Sequence, residues 1–189
     1  TGVIMNGNTL TPTYIPSMAD ITNGGVVLSL IATPIAPCSN TVTDAMQLTI
    51  TRTPVVFAGN DAAICPPGAY TVSDATAANC AAILWATSGT GIFSSTSTLV
   101  TIYNPSPADI AAGTVTLTLT GKANAPCSNS SDEVVLYLIA EALANAGPDA
   151  TICEGSQYAI NGATAGNYST LTWTTSGSGM FVNNGTLSP

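Results

Sequence analysis

The sequence contains no histidine, and Arg52 and Lys122 are its only cationic side chains. The lack of histidine removes the commonest general base and excludes a Cys2His2 metal site. Two cations stand against ten acidic residues, a net charge of −8. Such a chain has almost nothing with which to displace counterions from phosphate, which excludes nucleic-acid binding and predicts repulsion from an anionic membrane surface. No apolar run reaches 18 residues, so no membrane insertion is expected. No signal peptide stands at the start; residues 1–8 read as mid-domain sequence, and the expected N-terminus lies upstream. Neither GxSxG nor GxxxxGK occurs, and no pair of carboxylates is singled out for glycoside hydrolysis. An isopeptide crosslink would require a repeated lysine, but Lys122 has Thr33 as its counterpart. The expected class is therefore non-enzymatic, with no cofactor.

Charged residues are only 6% of the chain although hydrophobic residues are 46%. Ordinary domains carry about 25% charge, so the polar surface here must come from Thr, Ser, Asn and Gly. That choice suits β-structure, since Thr fits a pleated surface and Gly and Asn fit turns. The same composition fits an extracellular setting, where disulfides are permitted.

The dominant signal is internal repetition. Gly59-Asn60-Asp61-Ala62-Ala63-Ile64-Cys65 recurs as Gly147-Pro148-Asp149-Ala150-Thr151-Ile152-Cys153, at an offset of 88 residues. Tyr70, Trp85 and Phe93 recur as Tyr158, Trp173 and Phe181. From the chain start, Tyr14-Ile15-Pro16-Ser17-Met18-Ala19-Asp20-Ile21 recurs as Tyr103-Asn104-Pro105-Ser106-Pro107-Ala108-Asp109-Ile110, at an offset of 89. Pro37-Cys38 matches Pro126-Cys127, and the offset returns to 88 at Asp44 and Asp132. The chain thus divides into the C-terminal part of one repeat (1–58), a complete repeat (59–146) and the N-terminal part of a third (147–189). Residues 59–146 are the expected minimal stable unit.

Within the complete repeat, short runs between turn clusters predict strands at 62–65, 69–73, 82–87, 91–94, 98–103, 114–120 and 133–140. Seven strands in about 88 residues predict an all-β fold of tandem immunoglobulin-like β-sandwich repeats. Residues 114–120 alternate Thr with Val115, Leu117 and Leu119, one face core and one face wet. Trp85 falls on the third strand, where such sandwiches bury a Trp. Ser106-Pro107-Ala108-Asp109 and Ser17-Met18-Ala19-Asp20 have the form of capping boxes, predicting one helical turn between the fifth and sixth strands. Asp20 and Asp109 are read there as structural residues.

The pattern Gly-x-Asp-x-x-Ile-Cys, Trp-x-Thr-Ser-Gly, Tyr-x-Pro-Ser-x-Ala-Asp-Ile and Pro-Cys, carried by residues 59–65, 85–89, 103–110 and 126–127, resembles the immunoglobulin-like or PKD-like repeats of secreted surface proteins of Bacteroidota. The resemblance spans the whole chain and implies long arrays at the cell surface, of adhesin or filament type, with no chemistry attached. A structural filament, sheath or stalk, self-associating through neighbouring repeats or protofilaments, is the expected function; an adhesin that touches glycan is the alternative.

Three sets of residues remain open at this level. Cys65 and Cys127 either bridge within one repeat, or the first-strand cysteine of one repeat (Cys65, Cys153) bridges to the late-loop cysteine of the next (Cys38, Cys127). Cys80, whose counterpart is Tyr168, reads as a lone thiol. Asp61 and Asp149 are weak Ca²⁺ candidates because they sit where one repeat leads into the next, although no DxDxD cluster accompanies them. Finally, Val134 to Ile139 is apolar on both faces, which predicts that Val135, Tyr137 and Ile139 are covered by neighbouring repeats or protofilaments.

Overall fold

The computed structural model describes residues 2–189. Its elements run β1 (Val3–Met5), β2 (Thr13–Ile15), α1 (Met18–Asn23), β3 (Gly25–Ala32), β4 (Val42–Thr49), β5 (Val55–Phe57), β6 (Ala62–Ile64), β7 (Tyr70–Val72), β8 (Thr76–Ala78), β9 (Ala82–Thr87), β10 (Ile92–Phe93), β11 (Thr101–Asn104), α2 (Pro107–Ala112), β12 (Thr114–Lys122), β13 (Ser130–Leu138), β14 (Leu143–Asn145) and β15 (Thr164–Gly166). The fold is all-β apart from two single-turn helices. Each of the seven strands predicted for the complete repeat is present within a few residues of its expected place.

The middle of the chain carries the core. A four-stranded sheet of order β6-β13-β12-β9 and a three-stranded sheet of order β10-β11-β7 contribute to one buried cluster. Val115, Leu117 and Leu119 of β12 point inward with Val134, Leu136 and Leu138 of β13, and Trp85, Val72 and Tyr103 join them. The alternation read from residues 114–120 is realised: the apolar positions are buried and the threonines lie on the other face. Trp85 is 2% exposed, its indole N–H donating to Thr98 O at 3.0 Å. Phe93 bridges Trp85 and Tyr103, with ring centroids at 5.8 and 5.0 Å, distances at which tilted aromatic pairs attract.

Pairing repeats with the sequence. In β3–β4, Gly25 opposes Thr49 and Ala32 opposes Val42. In β12–β13, Thr114 opposes Tyr137 and Gly121 opposes Ser130, the same register carried forward by 88 or 89 residues. The β1–β2 and β10–β11 pairs correspond likewise, as do β5–β8 and β14–β15, in which Val55 opposes Ala78 and Leu143 opposes Gly166. Both helical turns form with complete capping boxes and end on a left-handed glycine, Gly24 and Gly113, each at φ 76°. Glycine takes that left-handed conformation without the local backbone strain a Cβ brings, although the space around both sites is open. The carbonyl of this glycine then accepts from the last strand, Leu138 N to Gly113 O at 2.8 Å and Ile50 N to Gly24 O at 2.9 Å.

Strands β5 and β8, with their counterparts β14 and β15, escaped the sequence reading. Val55–Phe57 falls before the expected boundary at residue 59, yet it pairs with Thr76–Ala78 inside the complete repeat. Pro54, Ala58 and Gly59 are buried there, and Ala58 N donates to the Asp132 carboxylate at 2.8 Å. The packed unit therefore begins near Pro54, and its counterpart in the next repeat begins near residue 142. These strands are three residues long, and residues 76–78 read Thr-Ala-Ala, too short and too weak in β-propensity to stand out.

Residues 2–50 hold the second half of a repeat, and the residues that would be its core are open. Leu30 is 62% exposed where its counterpart Leu119 is fully buried, and Met46 is 58% exposed where Val134 is fully buried. On the outer face of β13 Val135 is half-buried, but Tyr137 is 46% exposed and Ile139, just past the strand, 57%, so the cover expected over these two side chains is not formed within residues 2–189.

Two outcomes follow from this packing. Leu119→Ala should cost about 3 kcal/mol in denaturant unfolding, as for a large core truncation, whereas Leu30→Ala in the same chain should stay within about 0.5 kcal/mol; equal effects would contradict the burial difference. A fragment spanning residues 53–141 should unfold cooperatively and at higher urea than one spanning 59–146, which loses β5 and the buried Pro54 and Ala58.

Candidate functional site

The most organised polar cluster is built on α2. Asp109 is the third helical residue, so its carboxylate turns back over the N-terminal end of the turn and accepts from Ser106 N at 3.0 Å while Ser106 Oγ accepts from Asp109 N at 3.1 Å. The same carboxylate is 3% exposed and accepts from Tyr103 OH at 2.7 Å, Thr90 N at 2.8 Å and Gly91 N at 2.9 Å. Thr87 Oγ1 lies 2.9 Å from the Tyr103 phenol, and Thr90 Oγ1 2.6 Å from Ser106 Oγ. Two segments separated in sequence, 87–91 and 103–109, thus converge on one anion.

The Ser88-Gly89-Thr90-Gly91 sequence is explained by this approach. A Cβ at Gly89 would overlap the Asp109 carboxylate, and a Cβ at Gly91 would stand 2.5 Å from the Tyr103 hydroxyl. The glycines are a steric requirement of the clasp. In the first repeat Tyr14 OH donates to Asp20 Oδ2 at 2.7 Å, joined by Ser17 N at 2.8 Å and Ser17 Oγ at 2.7 Å. The repeated Tyr and Asp positions therefore meet in space in both copies.

Burial alone would raise the Asp109 pKa, but the hydrogen bonds from Ser106 N, Thr90 N, Tyr103 OH and Gly91 N outweigh it and hold the carboxyl at about 2. The Tyr14 hydroxyl, with the Ser17 hydroxyl and N–H, brings Asp20 to about 2 as well. Burial pushes the Tyr103 phenol above its usual value, with the Asp109 carboxylate adding to the rise. These groups stay ionised and neutral respectively across the physiological range. Their partners are all within the protein, and such an arrangement holds loops together.

The remaining expected residues are placed as follows. Trp173 repeats Trp85, its indole donating to Thr186 O at 2.8 Å and its ring lying 6.1 Å from Phe181. Asp61 accepts from Val135 N at 2.8 Å, which anchors the start of β6 to β13. Asp149 is exposed. Among the described residues no three acidic, cysteine or histidine side chains gather as a metal site would require. Asp74 carries a role the sequence did not reveal: it accepts from Asn60 N at 3.0 Å and Asn60 Nδ2 at 2.9 Å, which lowers its pKa, and it packs on Gly59. Its counterpart is Gly162, so repetition gave no signal. Asp132, by contrast, was marked by its match to Asp44.

The cysteines separate into two groups at opposite ends of the complete repeat. Cys65 follows Ile64, which pairs with Leu138 at the far end of β13. Cys127 precedes Ser130, where β13 begins. Eight strand steps at about 3.3 Å each put roughly 26 Å between those ends, while disulfide Cα atoms must lie within about 7 Å. A bridge between Cys65 and Cys127 of one repeat is excluded by this geometry. All five cysteines are free thiols, and the Cys80 sulfur packs over Gly121.

Removing the anion should unfold the clasp. Asp109→Asn should cost about 2–3 kcal/mol at pH 7, because buried N–H groups lose an acceptor. The folded pKa of Asp109 lies below the unfolded value of about 3.9, so its stabilisation is complete above pH ~4 and lost as pH falls toward 2. Urea midpoints measured from pH 7 to pH 2 should fall less steeply below pH 4 in the variant than in the parent; parallel curves would refute the role. Set against known proteins, the chain matches no protein-family model and no curated protein.

Proposed function

We propose that the chain is a stretch of tandem immunoglobulin-like β-sandwich repeats that serves a structural role outside the cell, as part of a filament, sheath or stalk. The observation that carries this reading is the reuse of one pairing scheme: β3–β4 and β12–β13 share a register, and β5–β8 and β14–β15 share another, at the sequence offset of the repeat. Identical units joined by short, fixed-length connections generate an extended body. The polar groups with displaced pKa values face protein partners, as scaffold groups do. The low charge and the Thr- and Ser-rich surface support a location outside the cytoplasm.

A compact 189-residue domain would have a radius of gyration of about 16 Å. Small-angle scattering of the chain in solution should give a clearly larger value, with the elongated profile of units in a row. A value near 16 Å would sink the array. Saturable binding of the chain to a glycan in surface plasmon resonance, without any tendency to assemble, would replace the structural role with an adhesive one.

A further inference from the structure

We propose that consecutive repeats are stapled by a disulfide between the first-strand cysteine of one repeat, as Cys65, and the loop cysteine of the following repeat, as Cys127. The argument turns on one backbone position that occurs twice. In the complete repeat, Ile139 N donates to Ile64 O at 3.0 Å, and the parallel register of β6 and β13 carries Cys65 alongside Ile139, one interstrand spacing of about 4.8 Å away. The residue 88 positions before Ile139 is Thr51. The Thr51 carbonyl oxygen accepts from Cys127 Sγ at 3.4 Å, and Thr51 Oγ1 donates to Ala125 O at 3.4 Å.

The first-strand cysteine of a repeat and the loop cysteine of the next therefore flank the same residue. Arg52 fixes the other side of that joint, its guanidinium donating to Ile21 O at 3.3 Å and Thr22 O at 3.1 Å in the last turn of α1. Neither thiol is fully buried: Cys65 is exposed and Cys127 half-buried. Within residues 1–189 no first-strand cysteine is followed by the loop cysteine of the next repeat, so the proposed pair does not occur in this stretch.

The oxidant required is a small-molecule disulfide such as oxidised glutathione. The thiolate of one cysteine attacks it, forming a mixed disulfide and expelling one glutathione thiolate. The second cysteine thiolate then attacks the protein sulfur of that mixed disulfide and expels the other. Two protein thiols are oxidised, one glutathione disulfide is reduced to two thiols, and the protons lost by the cysteines end on the released glutathione.

An oxidising location for the staple rests on the extracellular reading above, but the test below is carried out in vitro and reads the geometry alone. A chain made of residues 1–141 followed directly by 54–189 gains a second complete repeat in the native spacing. One variant keeps only Cys65 of the first copy and Cys127 of the second, with every other cysteine changed to Ser. Its companion keeps only Cys65 and Cys127 of the first copy. Both are equilibrated in a glutathione redox buffer, iodoacetamide-labelled, and weighed by mass spectrometry, with circular dichroism confirming that each is folded. The expected result is that the first variant loses both alkylatable thiols as a monomer, with a urea midpoint that falls on reduction, and that its companion keeps both thiols. Two free thiols in the folded first variant, or a bridge in its companion, would overturn the proposal; a collapsed scattering profile for the unaltered chain would overturn the array reading while leaving this measurement interpretable.

Discussion

A single carboxylate sets the terms for one end of the complete repeat. Asp109 draws the phenol of Tyr103, the N–H groups of Thr90 and Gly91, and its own helical turn onto one point. Charge-assisted hydrogen bonds of this kind are stronger than neutral ones, and a buried anion left without them would be costly. The cluster therefore has essentially one acceptable geometry. It fixes where the loop 87–91 must lie, and that loop follows β9, which carries Trp85. Through Tyr103 the same anion is tied to Phe93 and so to the aromatic centre of the core. Electrostatics and apolar packing are thus joined at one side chain, Tyr103, whose ring is core and whose hydroxyl is clasp.

The first repeat isolates the two contributions. The Tyr and Ser part of its clasp is formed, with Tyr14 and Asp20 at 2.7 Å and Ser17 beside them, and its β3–β4 hairpin has the register of β12–β13. Yet Leu30 and Met46 are open, because the strands that would face them are not present in residues 2–50. Local hydrogen bonding and strand pairing are satisfied within this half, while burial requires both halves. The contrast with Leu119 and Val134 shows that the core is a property of two sheets meeting.

Much of this was legible because the chain repeats itself. Matching Tyr, Asp and Ser at a constant offset marked these positions as structural, and the capping-box spacing identified the helical turns, but the meeting of Tyr103 with Asp109 and the 87–91 loop was not read. The clean Thr alternation of β12 gave its inward face. What escaped had physical reasons. Strands β5 and β8 are three residues long and bury little more than Val56 and Ala58, so no periodicity could emerge. Asp74 works through a contact with Asn60 that the neighbouring repeat does not share. The cysteine pairing was undecidable from spacing, since it depends on which end of a strand each thiol occupies.

The parallel pair β6–β13 has a bearing on load. The strand that opens the repeat's main sheet and the strand that closes it run side by side in the same direction, with Ala62 opposite Leu136 and Ile64 opposite Leu138. Tension applied at the two ends of a repeat pulls these neighbours in opposite senses along their common axis. Their hydrogen bonds are then sheared together, where an antiparallel hairpin under the same pull would open like a zip, one rung at a time. Within one repeat, this pair would therefore carry such a pull on three rungs loaded together.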